Sequence, residues 1–333
     1  MLRLALFALL SGLIALPQSG TALAVPCKLS KAGELRVTVD PANRILIDAS
    51  IKGQPAKLQI DSGAFATIFD ATVLSRFGIA KAGEQRDVVG VGGRTNTFHQ
   101  TIPDLSFGSF VGDNLRWTVS ERHFLPDGIY GVLGMDFLGS FDVELDLAHN
   151  TINLFKYHEC PAEPVYWAPT FSEADLAIRD YALHTTLQLN GLPVEAVIDT
   201  GASRTAIMTD FTRRLGLDET SSGMVRAGDV RGIDGRPLPI YTYRFAELHV
   251  GDEVIKNPIL FVQKQDIRNI DTAPTAAGHI YHDSRPAAIL GADFIKTHHI
   301  YLAMKDRKMY FTYNGGGIFS PPQDPSAALR EQH

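Results

Sequence analysis

The chain has 333 residues, 45% of them apolar and 20% charged, with a formal net charge of −6. These values are ordinary for a globular protein, and the length allows two domains of common size. The weak negative charge gives no electrostatic basis for binding nucleic acid or an anionic membrane. Lys and Arg are scattered, with no basic run beyond short pairs such as Arg213-Arg214.

The N-terminus reads as a targeting segment over residues 1–24. Arg3 supplies a minimal positive start, Leu4 to Leu16 is almost unbroken apolar sequence, and Ala22-Leu23-Ala24 has the small-x-small form of a cleavage site. The run is short for a bilayer span, which needs about 20 residues; an uncleaved anchor is the alternative. Pro26 precedes Cys27 where a lipidation signal has a small residue. The mature chain is expected to start at Val25 in a periplasmic or extracellular setting, without stable membrane insertion. Cys27 and Cys160 are the two cysteines. In an oxidising compartment an even count favours a disulfide; two buried free thiols are the other reading.

In chain order, the first half opens with two alternating, β-branched stretches, Glu34 to Val39 and Arg44 to Ile51, which predict strands. Gly53 turns the chain into a third strand, Ala56 to Ile60, which ends at Asp61-Ser62-Gly63-Ala64. The second half repeats this order. Ala182 to Leu189 alternates, Asn190-Gly191 is a hairpin signal, and Val194 to Ile198 ends at Asp199-Thr200-Gly201-Ala202-Ser203. The spacing from Gly53 to Asp61 equals that from Gly191 to Asp199.

The match continues beyond the aspartates. Short helices are predicted over Phe69 to Phe77 and Met208 to Leu215, closed by Gly78 and Gly216. Gly-rich tips at Val91-Gly92-Gly93 and Ile233-Asp234-Gly235 predict two β-hairpins. Gly131-Val132-Leu133-Gly134-Met135-Asp136-Phe137-Leu138 then pairs with Ala288-Ile289-Leu290-Gly291-Ala292-Asp293-Phe294-Ile295. Asp136 and Asp293 read as stabilisers of helix N-termini. Each half closes with a hairpin, Val143 to Phe155 and Ile300 to Tyr313. Cys160 to Thr170 reads as a Pro-rich linker, roughly Gln263 to Pro286 as an inserted loop, and 315–333 as a flexible Gly/Pro-rich tail.

A carboxylate at the end of a buried strand is costly unless something pairs with it or uses it. Alone, such an Asp is most often a turn former; two at matching places in a duplicated unit point to a shared site. The D-[ST]-G-[AS] segments at Asp61 and Asp199, with Val132-Leu133-Gly134 and Ile289-Leu290-Gly291, resemble the signatures of aspartic peptidases. The short units and Gly-rich hairpins in both halves are most similar to retropepsin-like domains in tandem. The resemblance covers nearly all of the mature chain. A flap tyrosine of the pepsin-like kind has no convincing counterpart.

The resemblance implies a mostly-β, bilobal pepsin/retropepsin-like acid protease fold with short helices. Its pseudo-twofold-related lobes are expected at 25–165 and 166–314. Asp61 and Asp199 would be the catalytic pair. Ser62 and Thr200 would hold the two loops together, Gly63 and Gly201 would allow close approach, and the hairpin tips would be flaps. No metal and no cofactor is expected. The implied substrate is a peptide or protein, and a monomer is expected to suffice because both half-sites lie in one chain. The alternative is a non-catalytic peptide-binding module of the same fold; hydrolysis of a non-protein amide or ester is a third reading. His279, His282, His298 and His299 cluster in sequence without a metal-binding motif and read as loop or strand residues. No G-x-S-x-G elbow is present.

Overall fold

A computed structural model of the chain describes residues 29–83, 85–90, 93–112, 115–157, 164–231, 237–264 and 286–319. The fold is mostly β, and each half builds the same arrangement around its aspartate. In the first, Gln54–Ile60 lies between Ile45–Ile51, which is antiparallel to it, and Gly131–Leu133, which is parallel. Gly131–Leu133 also pairs antiparallel with Ile68–Phe69. In the second, Leu192–Ile198 lies between Ala182–Leu189 and the parallel Ala288–Leu290, which pairs antiparallel with Ala206–Met208. The Asp-bearing strand is therefore central in each lobe. Its last residues, Leu58 to Ile60 and Ala196 to Ile198, are all buried. This is why both segments read as continuous apolar runs rather than strict alternation, apart from Gln59.

Turn chemistry sets the entry to each central strand. Asn190 and Gly191 have φ of 49° and 80°, and Lys52 and Gly53 have φ of 50° and 72°. Positive φ at both central residues is the hairpin geometry whose twist suits the flanking strands. The expected helices are shorter than the sequence implies, Thr72–Arg76 and Thr209–Arg214. Phe69 and Met208 belong instead to the short strands that pair with the second motif. The two Gly-rich hairpins are present as Gln85–Gly90 with Gly93–Thr101 and Val225–Arg231 with Pro237–Arg244.

The closing hairpins of the two halves do not stand apart. Asp142–Asp146 pairs antiparallel with His298–Ala303, so the hairpins fuse into one sheet across the lobes. Lys31–Val39 extends this sheet on one side and Ser172–Asp175 on the other. One face of the sheet presents Phe155, Tyr301 and Tyr310, and Val165 from the linker packs with them. Trp167 stacks on His299 at 3.8 Å between ring centroids and donates from Nε1 to Thr312 Oγ1 at 2.9 Å. The expected linker is thus a packed cover at residues 165–171. The first residues of the expected tail are packed: Phe319 is 3% exposed and stacked over Phe294. A buried aromatic side chain contributes about 1.5–3 kcal/mol, enough to hold the Gly-rich segment before it in place.

Residues 1–28, Cys160 and the inserted loop at 265–285 lie outside the described residues, so the targeting segment and the Cys27–Cys160 pairing do too. Among the described residues no helix is long and apolar enough to cross a membrane.

Candidate active site

Asp61 and Asp199 leave their strands at the same point in the two lobes. The backbone N–H of each still bonds the neighbouring parallel strand, Asp61 to Leu133 O at 3.1 Å and Asp199 to Leu290 O at 3.0 Å. The chain then turns sharply, and each carboxylate caps its own turn. Asp61 Oδ1 accepts from the N–H groups of Gly63 and Ala64, both at 3.0 Å. Asp199 Oδ1 accepts from those of Gly201 at 2.8 Å and Ala202 at 3.1 Å.

The two turns meet across the lobe boundary. Ser62 N–H donates to Thr200 Oγ1 at 2.9 Å, and Thr200 N–H donates to Ser62 Oγ at 3.0 Å. Each hydroxyl then donates onward, Ser62 to Ile198 O at 2.7 Å and Thr200 to Ile60 O at 3.0 Å. Ser62 and Thr200 are 2% and 1% exposed, so all four bonds are shielded from water. Gly63 and Gly201 complete the approach. A β-carbon on Gly63 would lie 2.5 Å from the carboxyl carbon of Asp199, and one on Gly201 would lie 2.4 Å from that of Asp61. Nothing larger than hydrogen fits at either place.

Each carboxyl lies against the glycine of the other turn, and both aspartates remain partly open to solvent. Burial pushes Asp61 well above the usual carboxylate range, and the charge of Asp199 pushes it further. Burial also raises Asp199, against the N–H donors of Gly201 and Ala202. Two interacting carboxyls do not both ionise readily, so their protons leave in two separated steps.

A further network steadies each turn. Thr67 and Thr205 sit at the same offset beyond their aspartates. Thr67 donates from N and Oγ1 to Asp136 Oδ1 at 2.9 and 2.7 Å, and Thr205 does so to Asp293 Oδ1 at 2.8 and 2.7 Å. Each hydroxyl accepts the N–H of the motif glycine, Gly134 at 3.1 Å or Gly291 at 3.0 Å. Asp136 and Asp293 therefore tie the second motif to the aspartate turn, beyond steadying the first turn of a helix. They differ in setting: Asp136 is exposed, whereas Asp293 is 3% exposed and raised by burial. The equal offset of the two threonines was a readable signal in the repeat. Two cross-lobe donors carried no such signal: Gln59 Nε2 bonds Gly201 O at 3.0 Å, and Asn43 Nδ2 bonds Ser203 O at 3.1 Å.

Of the remaining candidates, Gly93 opens its strand opposite Gly90. Val91, Gly92, Ile233, Asp234 and Gly235 lie outside the described residues. His298 is buried, stacked on Phe294 and paired with Glu253 at 3.1 Å. His299 is paired with Glu144 at 3.0 Å. Among the described residues no three His, Cys, Asp or Glu side chains gather as a metal site.

None of the curated proteins matches the chain closely enough to count as a relative. The family model described as aspartyl protease matches it twice, over residues 47–137 and 185–294, together more than half of its length. Each matched segment holds one aspartate turn, one Gly-rich hairpin and one second motif. With the same unit found once in each lobe, the chain belongs to the aspartyl protease family, as two retropepsin-like domains in one polypeptide.

Proposed function

We propose that the protein is an aspartic endopeptidase in which Asp61 and Asp199 are the catalytic dyad. The observation that carries this reading is that the two aspartate turns bond each other through Ser62 and Thr200, with Gly63 against the Asp199 carboxyl and Gly201 against that of Asp61. The ionised member takes a proton from water as the water oxygen adds to the peptide carbonyl. The protonated member gives its proton to the carbonyl oxygen, so the first step yields a neutral tetrahedral diol and leaves the dyad with one proton still. Collapse of the diol returns a hydroxyl proton to the dyad and delivers one to the departing amine. Ser62, Gly63, Thr200 and Gly201 hold the carboxyls at this separation. Acid to near-neutral activity is expected, from a monomer, after export to the periplasm or medium.

Digestion of a peptide library by the mature protein tests this reading. Cleavage that is lost in Asp61→Asn supports it. Tight peptide binding without turnover in the wild type identifies the non-catalytic module instead. Pepstatin sensitivity reports the shape of the cleft rather than the chemistry.

A further inference from the structure

The two aspartate turns differ in the buried donors that reach them from the other lobe. Gln59, 6% exposed on the strand leading to Asp61, donates from Nε2 to the carbonyl oxygen of Gly201 in the other lobe at 3.0 Å. That carbonyl belongs to the peptide unit whose N–H is Ala202's. The Ala202 N–H donates to Asp199 Oδ1 at 3.1 Å. Side-chain amide, peptide unit and carboxylate thus form one chain of hydrogen bonds that ends on Asp199. A peptide whose carbonyl accepts a bond is polarised and becomes a better donor, by roughly 10–30% per bond in such a chain.

Among the described residues the first half shows no equivalent. The position matching Gln59 is Val197, which has no polar hydrogen to offer. The Gly63–Ala64 peptide, whose N–H donates to Asp61 Oδ1 at 3.0 Å, therefore receives no matching bond from it. Asn43 reinforces the asymmetry. It is 5% exposed, donates to Ser203 O at 3.1 Å and accepts from Lys296 Nζ at 2.7 Å, which pins the turn after Asp199 to the first lobe.

We propose that Gln59 is a positioning residue that divides the roles of the pair, with Asp199 holding the negative charge in the free protein and Asp61 the shared proton. Given the peptidase reading, on which this half of the inference rests, Asp199 takes the proton from water and Asp61 gives its own to the substrate carbonyl oxygen.

The order of ionisation is measurable without a substrate. In a carbon-13 carboxyl NMR titration of the mature protein, assigned through Asp61→Asn and Asp199→Asn, the larger part of the Asp199 shift falls in the lower of the two steps. Gln59→Met keeps the length and removes the donor. It raises the lower step by roughly 0.3 pH unit and leaves the upper step in place, because the singly and doubly ionised pair lose the same stabilisation. With a cleaved peptide, the acid limb of kcat/KM moves up by the same amount, while KM stays within about twofold. Val197→Gln acts on the opposite step and lowers the upper one. An Asp61 that ionises first in the wild type overturns the proposal without any variant. So do two steps indifferent to Gln59→Met in a protein whose melting curve shows it folded. A wild type with the stated order but no cleavage overturns the peptidase reading alone.

Discussion

A β-carbon on Gly201 would stand 2.4 Å from the carboxyl carbon of Asp61, and the reverse holds between Gly63 and Asp199 at 2.5 Å. The glycine of each half is thus the floor beneath the aspartate of the other. Gly201→Ala forces the turns apart. It is expected to lower kcat/KM on a cleaved peptide by about 100-fold and to cost about 1–3 kcal/mol in urea unfolding, as overpacking does. Wild-type activity in that variant would mean that the two turns do not act as one site.

The raised carboxyls make a prediction about stability. A group whose folded pKa lies above its unfolded value of about 3.9 favours folding below that value. The advantage is lost as pH rises through the folded pKa. At neutral pH the pair carries a burial and repulsion cost that an amide in its place lacks. Asp61→Asn is therefore expected to melt at a higher temperature than the wild type at pH 7, with the gap narrowing near pH 3. Its peptidase activity falls by about 10²–10⁴-fold. Calorimetry at the two pH values checks the sign.

Thr200→Val preserves shape while deleting the hydroxyl. Ser62 N–H loses its acceptor and Ile60 O loses a donor, in a place closed to water. Each unpaired buried group costs about 1–3 kcal/mol. The urea midpoint is expected to fall with the slope unchanged; an unchanged midpoint would show that these bonds contribute little.

The sheet between the lobes has its own pH dependence. Burial pushes Glu144 up, but hydrogen bonds from His299, Asn153 and Tyr166 outweigh it and hold the carboxyl below its usual range. A lowered folded pKa contributes stability above the unfolded value and loses it as pH falls through the folded one. Glu144→Gln is expected to flatten the loss of stability between about pH 5 and about pH 3, measured by urea midpoints along a pH series. An identical slope in both proteins would remove Glu144 from the account.

Much of this arrangement was legible in the residues. The duplicated turns at Asp61 and Asp199, the Asn190-Gly191 hairpin and the buried strand ends all follow from short-range rules of side-chain period, turn conformation and apolar runs. The helices came out shorter than expected because strand pairing claims Phe69, opposite Gly131 of the second motif, and Met208, opposite Gln263. The Pro-rich linker proved to be a packed cover because the aromatic face of the fused sheet needs one.

What the sequence by itself determined is the pair of repeated units and the place of an acid at the end of each central strand. The tertiary structure alone decided that the two aspartate turns meet, that the closing hairpins join, and that Gln59 bonds the turn of the opposite aspartate. Those contacts link residues more than a hundred positions apart. They arise from how two finished lobes pack, and no local pattern in either lobe records the shape of the other.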